Sequence, residues 1–229
     1  VKCLATPEEI KEKSVEELDA LLEEAFSFDN FAWQRDNKVS VNEPFRADGL
    51  QRILYKCPHC GVENKMEGKD IHLTCHSCNK QWTMDEYGQM NAQDGNTEYP
   101  HIPDWYKWQR ECVKKELEDN TYLLDTKVKI GIMADYKAIY MVGEGRLIHN
   151  KDGFTLEGCD GQLKYTQPPH SSYGLYADYF WYEIGDVIAI GDNDVSYYCF
   201  PKNCPRDIVT KTRFAVEELY KINKSAKQK

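Results

Sequence analysis

Cys57-Pro58-His59-Cys60-Gly61 and Cys75-His76-Ser77-Cys78-Asn79 are two Cys-x-x-Cys pairs separated by fourteen residues, Gly61 to Thr74. Each pair can close a tight knuckle in which backbone N–H groups point at sulfur. Gly61 and Asn79 stand just past the pairs, where a positive φ is easiest to adopt. Between the knuckles, Val62–Met66 and Ile71–Leu73 can pair around a turn at Glu67-Gly68-Lys69. Lys80–Met84 supplies a third strand, with Trp82 as its cover. The spacing predicts a zinc ribbon over residues 50–90. In it Cys57, Cys60, Cys75 and Cys78 place four thiolates around one Zn²⁺ at about 2.3 Å. Four sulfurs leave no open position, so the site reads as structural and not catalytic. A module this small buries too little apolar surface to fold alone, and metal binding supplies the missing stability. A thioredoxin-like redox pair needs one such motif in a βαβ setting, and a rubredoxin-type iron site wants more residues between the knuckles. His59, His72 and His76 are close in sequence but read as surface residues.

Outward from the ribbon, residues 1–49 are a helical segment. Thr6-Pro7-Glu8-Glu9 and Ser14-Val15-Glu16-Glu17 are successive capping boxes. Leu18, Leu21, Leu22, Ala25 and Phe26 then recur at helical spacing, an apolar stripe that something must cover. Residues 91–120 are a polar linker followed by an amphipathic helix from Pro103, with Trp105, Trp108, Cys112, Val113 and Leu117 on one side as core packing. In residues 121–229 the pattern turns to seven short β-rich runs: Val128–Met133, Ala138–Val142, Phe154–Leu156, Leu163–Tyr165, Tyr179–Tyr182, Val187–Ile190 and Ser196–Phe200. A helix from about Asp207 to Asn223 closes the chain. The class is therefore α+β: N-terminal helices, a zinc ribbon, and an antiparallel β-barrel or sandwich of PH-like element order with a C-terminal helix.

Composition narrows the setting. Nine cysteines, four in the two pairs and Cys3, Cys112, Cys159, Cys199 and Cys204 scattered singly, fit a reducing cytoplasmic compartment better than a disulfide framework. No apolar run approaches the roughly 20 residues that span a bilayer. With 38 acidic against 29 basic residues and no basic stripe, strong nucleic-acid binding is not expected.

The sequence presents no catalytic constellation. Gly143-Glu144-Gly145-Arg146 reads as a hairpin turn between two strands. His149 and Asp152 flank a turn, and His170, Ser171 and Ser172 fall in a loop after Pro168-Pro169.

Several stretches together resemble the C-terminal extension found on some bacterial 1-acyl-sn-glycerol-3-phosphate acyltransferases. They are Phe31-Ala32-Trp33-Gln34, Leu54-Tyr55-Lys56, Ile102-Pro103-Asp104-Trp105-Tyr106, Tyr140-Met141-Val142-Gly143, Tyr173-Gly174-Leu175-Tyr176-Ala177-Asp178-Tyr179, Trp181-Tyr182-Glu183-Ile184-Gly185-Asp186, Tyr198-Cys199-Phe200-Pro201 and Glu217-Glu218-Leu219-Tyr220. The resemblance covers nearly the whole chain but concerns the extension, not the enzyme's core. That core depends on a His-x-x-x-x-Asp motif whose histidine is the general base. None of the six histidines here has an aspartate five positions on; those positions hold Asn64, Ser77, Gln81, Tyr106, Phe154 and Leu175. The family's Glu-Gly-Thr-Arg phosphate-binding motif is missing too, since Glu144-Gly145-Arg146 lacks the threonine. The resemblance thus implies a non-catalytic accessory region of a phospholipid-biosynthesis enzyme, with Val1 to about Gln34 as the last helices of an upstream acyltransferase domain. Its implied partners are that domain in cis and a membrane surface or lipid headgroup, which sets the region peripheral to the inner face of the membrane. The competing reading is a free-standing zinc-ribbon module for protein or nucleic acid.

Overall fold

The computed structural model describes residues 2–133, 137–202 and 208–227, with side chains described to 224. Cys204, the helix start expected at Asp207, and Lys229 lie outside the described residues.

The N-terminal helices form as the capping boxes require. Thr6 caps α1 (Pro7–Glu12) and Ser14 caps α2 (Val15–Phe26), each with the reciprocal glutamate bond of a capping box. Asp29 caps α3 (Asn30–Asp36). Neither α1 nor α2 buries a residue, so Phe26 remains 80% exposed and the apolar stripe has no cover among the described residues.

The ribbon is a four-stranded antiparallel sheet in chain order, β1 (Met66–Lys69), β2 (His72–Cys75), β3 (Gln81–Met84) and β4 (Met90–Ala92). The hairpin turns at Asp70-Ile71, not at Glu67-Gly68-Lys69, which is strand: Lys69 pairs with His72. Gly68 stands there because a Cβ would lie 2.2 Å from the Ala47 carbonyl, while its N–H donates to Gln51 Oε1. The segment η1 (Leu50–Arg52) sits over that approach. Residues 91–101, polar in sequence and expected as a linker, are held to the ribbon. β4 begins the stretch, Met90 N–H donates to the Pro100 carbonyl, and Tyr99 stacks on Trp108 at 5.6 Å.

Helix α4 (Ile102–Glu118) belongs to both halves of the molecule. Its first turns put Ile102 and Trp105 into the ribbon core with Leu54, Leu73, Trp82 and Met90. Its last turns put Val113 and Leu117 against Phe214, Ala215 and Leu219 of α5 (Ile208–Lys227).

The seven expected strands are β5 (Leu124–Met133), β6 (Tyr140–Asn150), β7 (Gly153–Gly158), β8 (Leu163–Gln167), β9 (Tyr176–Trp181), β10 (Gly185–Gly191) and β11 (Ser196–Pro201). They form one antiparallel sheet in the order β8-β7-β6-β5-β11-β10-β9. The sheet is open: β8 and β9 are its two edges, so the architecture is a curled sheet with a helix packed on it and not a closed barrel. It curls far enough for Tyr165 of β8 to meet Tyr197 of β11 at 4.9 Å. Val128, Ile130, Leu147, Leu156, Ile188 and Cys199 fill the concave face with Ile208, Val209 and Val216 of α5.

Gly143-Glu144-Gly145-Arg146 is not a turn. It lies inside β6, which runs unbroken from Tyr140 to Asn150. Gly145 faces the core, where a Cβ would stand 2.3 Å from the Glu157 carbonyl and 2.8 Å from Ile130 Cδ1. The glycine marks a close approach of strands, a long-range requirement that mimics a local turn signal.

Candidate metal centre

Each half of the four-cysteine cluster is shaped by its knuckle. After Cys60 the chain turns back at Gly61 (φ 74°), and Cys57 N–H donates to the Val62 carbonyl at 3.0 Å. After Cys78 it turns at Asn79 (φ 61°), and Cys75 N–H donates to the Lys80 carbonyl at 2.9 Å. Backbone N–H groups of His59 and Cys60 point at the Cys57 sulfur, that of Val62 at Cys60 and that of Lys80 at Cys78.

The four Sγ atoms lie within 4.8 Å of one another. Cys57 and Cys78 are 3.8 Å apart, and so are Cys60 and Cys75. These separations are far beyond a disulfide's S–S bond of about 2.05 Å. They equal the edge, about 3.8 Å, of a sulfur tetrahedron built around an ion at about 2.3 Å. Cys57, Cys60, Cys75 and Cys78 are therefore brought together as the two pairs predict, and the cluster could hold a metal ion. Burial raises the Cys57 thiol above the ordinary cysteine range, so a thiolate there needs a cation beside it. Cys57 and Cys75 are buried, whereas Cys60 is exposed and Cys78 half-buried, which leaves an ion a path in from solvent.

The surrounding side chains fix this geometry. Glu98 accepts from Lys80 Nζ at 2.7 Å and from Trp82 Nε1 at 3.3 Å, and it pairs with His59 Nδ1 at 3.2 Å. One carboxylate thus ties both knuckles to the chain that follows. On the other side, α4 grips the backbone entering the first knuckle. Trp105 Nε1 donates to the Lys56 carbonyl at 3.0 Å, Gln109 Nε2 donates to the Ile53 carbonyl at 2.8 Å, and Lys56 N–H donates to Gln109 Oε1 at 2.9 Å. Sequence reasoning missed Glu98, in a polar stretch, and Gln109, a wholly buried polar residue on the face that holds Trp105 and Val113. The signal for Gln109 is its position, one turn from each.

The three nearby histidines stay out of the cluster. His59 pairs with Glu98, His76 with Glu67 at 2.7 Å, and His72 lies 3.1 Å from Thr83 Oγ1. The other residues weighed for chemistry do not converge. His149 is buried, stacked on Phe154 at 3.9 Å and bonded to the Tyr122 hydroxyl at 3.0 Å, whereas Asp152 is exposed. Ser172 donates to the Gly174 carbonyl in an exposed loop. One His–Asp contact was not foreseen, His101 Nε2 to Asp29 Oδ2 at 2.6 Å. The second oxygen of Asp29 accepts from Ala32 N–H, so the pair joins the start of α3 to the start of α4.

No helix among the described residues is long and apolar enough to cross a membrane. Comparison with protein-family models, curated proteins and solved structures finds no significant match.

Proposed function

We propose that Cys57, Cys60, Cys75 and Cys78 hold one structural Zn²⁺, and that the chain is a non-catalytic accessory region of a phospholipid-biosynthesis 1-acylglycerol-3-phosphate acyltransferase. The observation that carries the first part is the convergence of four sulfurs within 4.8 Å of one another, two of the separations matching a tetrahedron's edge, while the nearby histidines are engaged with Glu98, Thr83 and Glu67. When bound, zinc cross-links the two knuckles and offers no position for substrate or water.

The acyltransferase part rests on the sequence stretches from Phe31 to Tyr220 that resemble the enzyme's C-terminal extension. In this reading the sheet is the docking module. Its outer surface divides by chemistry. Over β5–β8 it carries exposed ion pairs, Arg146 with Asp125 and Lys164 with Glu157. Over β9–β11 it carries Tyr176, Trp181 and Tyr198 in mutual contact, flanked by exposed Met141, Tyr182 and Ile184. The aromatic half supplies the surface toward an upstream domain or a lipid headgroup region.

The reading is tested on the gene and on the protein. Coding sequence upstream of Val1 is expected to carry a His-x-x-x-x-Asp motif. The purified chain alone is expected not to acylate lysophosphatidic acid from acyl-CoA or acyl carrier protein. Turnover that disappears on changing a residue of this chain would overturn the non-catalytic assignment. An upstream sequence lacking the motif would overturn the parent enzyme.

A further inference from the structure

The first knuckle of the metal centre is also where the ribbon is fastened to the rest of the molecule. Lys56, immediately before Cys57, and Glu63, just beyond Gly61 and Val62, face each other across an isolated antiparallel bridge. Their side chains join Glu116 of α4 and Lys211 of α5 in a closed ring of alternating charge. Lys56 Nζ lies 3.2 Å from Glu63 and 3.7 Å from Glu116, while Lys211 Nζ lies 2.8 Å from both carboxylates. The four side chains are 16–23% exposed, so none can lose its partners without leaving a largely desolvated charge.

A second set of contacts leaves from η1, on the same approach to Cys57. The Tyr179 and Thr210 hydroxyls donate to the Arg52 carbonyl at 2.7 and 2.8 Å. The Arg52 guanidinium lies 3.5 Å over the Phe180 ring and 3.7 Å from Asp186. The segment from Arg52 to Glu63 therefore meets β9, β10, α4 and α5, and it contains Cys57 and Cys60.

We propose that metal binding and the docking of α5 and the sheet onto the ribbon are one coupled equilibrium, with the Lys56–Glu63–Lys211–Glu116 ring as the coupling element. The inference rests on the reading of the four cysteines as a metal centre. An ion at Cys57 and Cys60 fixes the knuckle that holds Lys56 and Glu63 at the spacing Lys211 requires. Without the ion that spacing relaxes, and the ring opens at half-buried charges. Coupling of binding free energies is reciprocal. A residue on α5 that touches no ligand must therefore change the metal affinity.

The test is a chelator competition for Zn²⁺ on the full chain, with Co²⁺ spectra as a second probe. Lys211→Met is expected to weaken metal binding within the range of about 5–150-fold typical of coupled sites. Lys211→Arg, which keeps the charge, is expected to bind as the unaltered chain does. Lys164→Met breaks an exposed pair on β8 remote from the ribbon and is expected to change nothing. Tyr179→Phe removes one donor to the Arg52 carbonyl and serves as the milder variant should Lys211→Met fail to fold; it is expected to weaken binding in the same direction. Folded Lys211→Met or Tyr179→Phe binding zinc as tightly as the unaltered chain would overturn the coupling while leaving the metal centre standing. A chain that binds no metal in any form would overturn both.

Discussion

Cys57 and Cys199 are both fully buried cysteines, and their surroundings assign them opposite tasks. Cys199 lies among Ile130, Ile188 and Tyr197, where burial pushes its thiol up to about 12 and nothing charged offsets it. Cys57 has three other sulfurs and two backbone N–H groups around it. Cys57→Ser is therefore expected to lose the metal and Cys199→Ser to retain it, as measured by metal content per folded chain. His149 gives a second prediction at this scale. Burial pushes its pKa down to about 3, so the native state holds it neutral while the unfolded chain takes a proton near 6.5. Stability from this residue is complete above pH 6.5 and falls as pH drops from there toward 3, by about 1.4 kcal/mol per unit. His149→Phe keeps a ring against Phe154 but cannot titrate. Relative to this variant, the unaltered chain is expected to lose about 2 kcal/mol between pH 6.5 and 5 in urea unfolding. Loss of metal in acid is common to both proteins and cancels in the difference. Parallel pH profiles would show that His149 is not neutral in the native state. At this scale much was legible from sequence: the cysteine pairs, and Gly61 and Asn79 as the left-handed residues beyond them. The burial of His149 was not, because it depends on Tyr122 and Phe154 arriving from other strands and loops.

Helix α4 shows most clearly what an element owes to its neighbours. Its apolar face was legible from the spacing of Trp105, Val113 and Leu117, yet the sequence offered no reason for Gln109 on the same face. The reason is nonlocal: residues 53–56 approach the ribbon outside its sheet, and Gln109 satisfies the Ile53 carbonyl and the Lys56 N–H together. Gln109→Leu would leave both backbone groups buried and unpaired at about 1–3 kcal/mol each. A destabilisation of about 2–4 kcal/mol is expected in urea unfolding of the metal-loaded chain. A change below about 0.5 kcal/mol would show that the amide is incidental. The glycines mislead for the same physical reason. Gly68 and Gly145 carry turn chemistry in the sequence but lie in strands, because each faces a backbone carbonyl that leaves no room for a Cβ. Capping boxes depend on residues three positions apart, and those at Thr6 and Ser14 were read correctly.

At the scale of the whole molecule, charge is organised inward. Lys56, Lys80, Lys211 and Arg110 are each engaged with carboxylates, so basic residues that would otherwise face a phosphate backbone are already paired. With a formal net charge of −9, binding to DNA or RNA at physiological salt is expected to be no tighter than the non-specific range, above about 1 μM. Sub-micromolar, sequence-dependent binding in an anisotropy titration would favour the free-standing nucleic-acid module. The α+β class, the seven strands and the final helix were legible because alternation and turn residues are local. Openness of the sheet was not, since it depends on whether β8 and β9 meet. The union of ribbon and sheet through α4, α5 and Arg52 was likewise hidden in residues far apart in the chain. The ribbon half of this architecture is built around the four sulfurs. X-ray absorption at the zinc edge, combined with metal analysis of chain purified without added metal, tests the central claim most directly. About one zinc per chain in a shell of four sulfurs at about 2.3 Å is the predicted result. A metal-free folded chain, or a shell containing nitrogen or oxygen in place of one of the sulfurs, would contradict it.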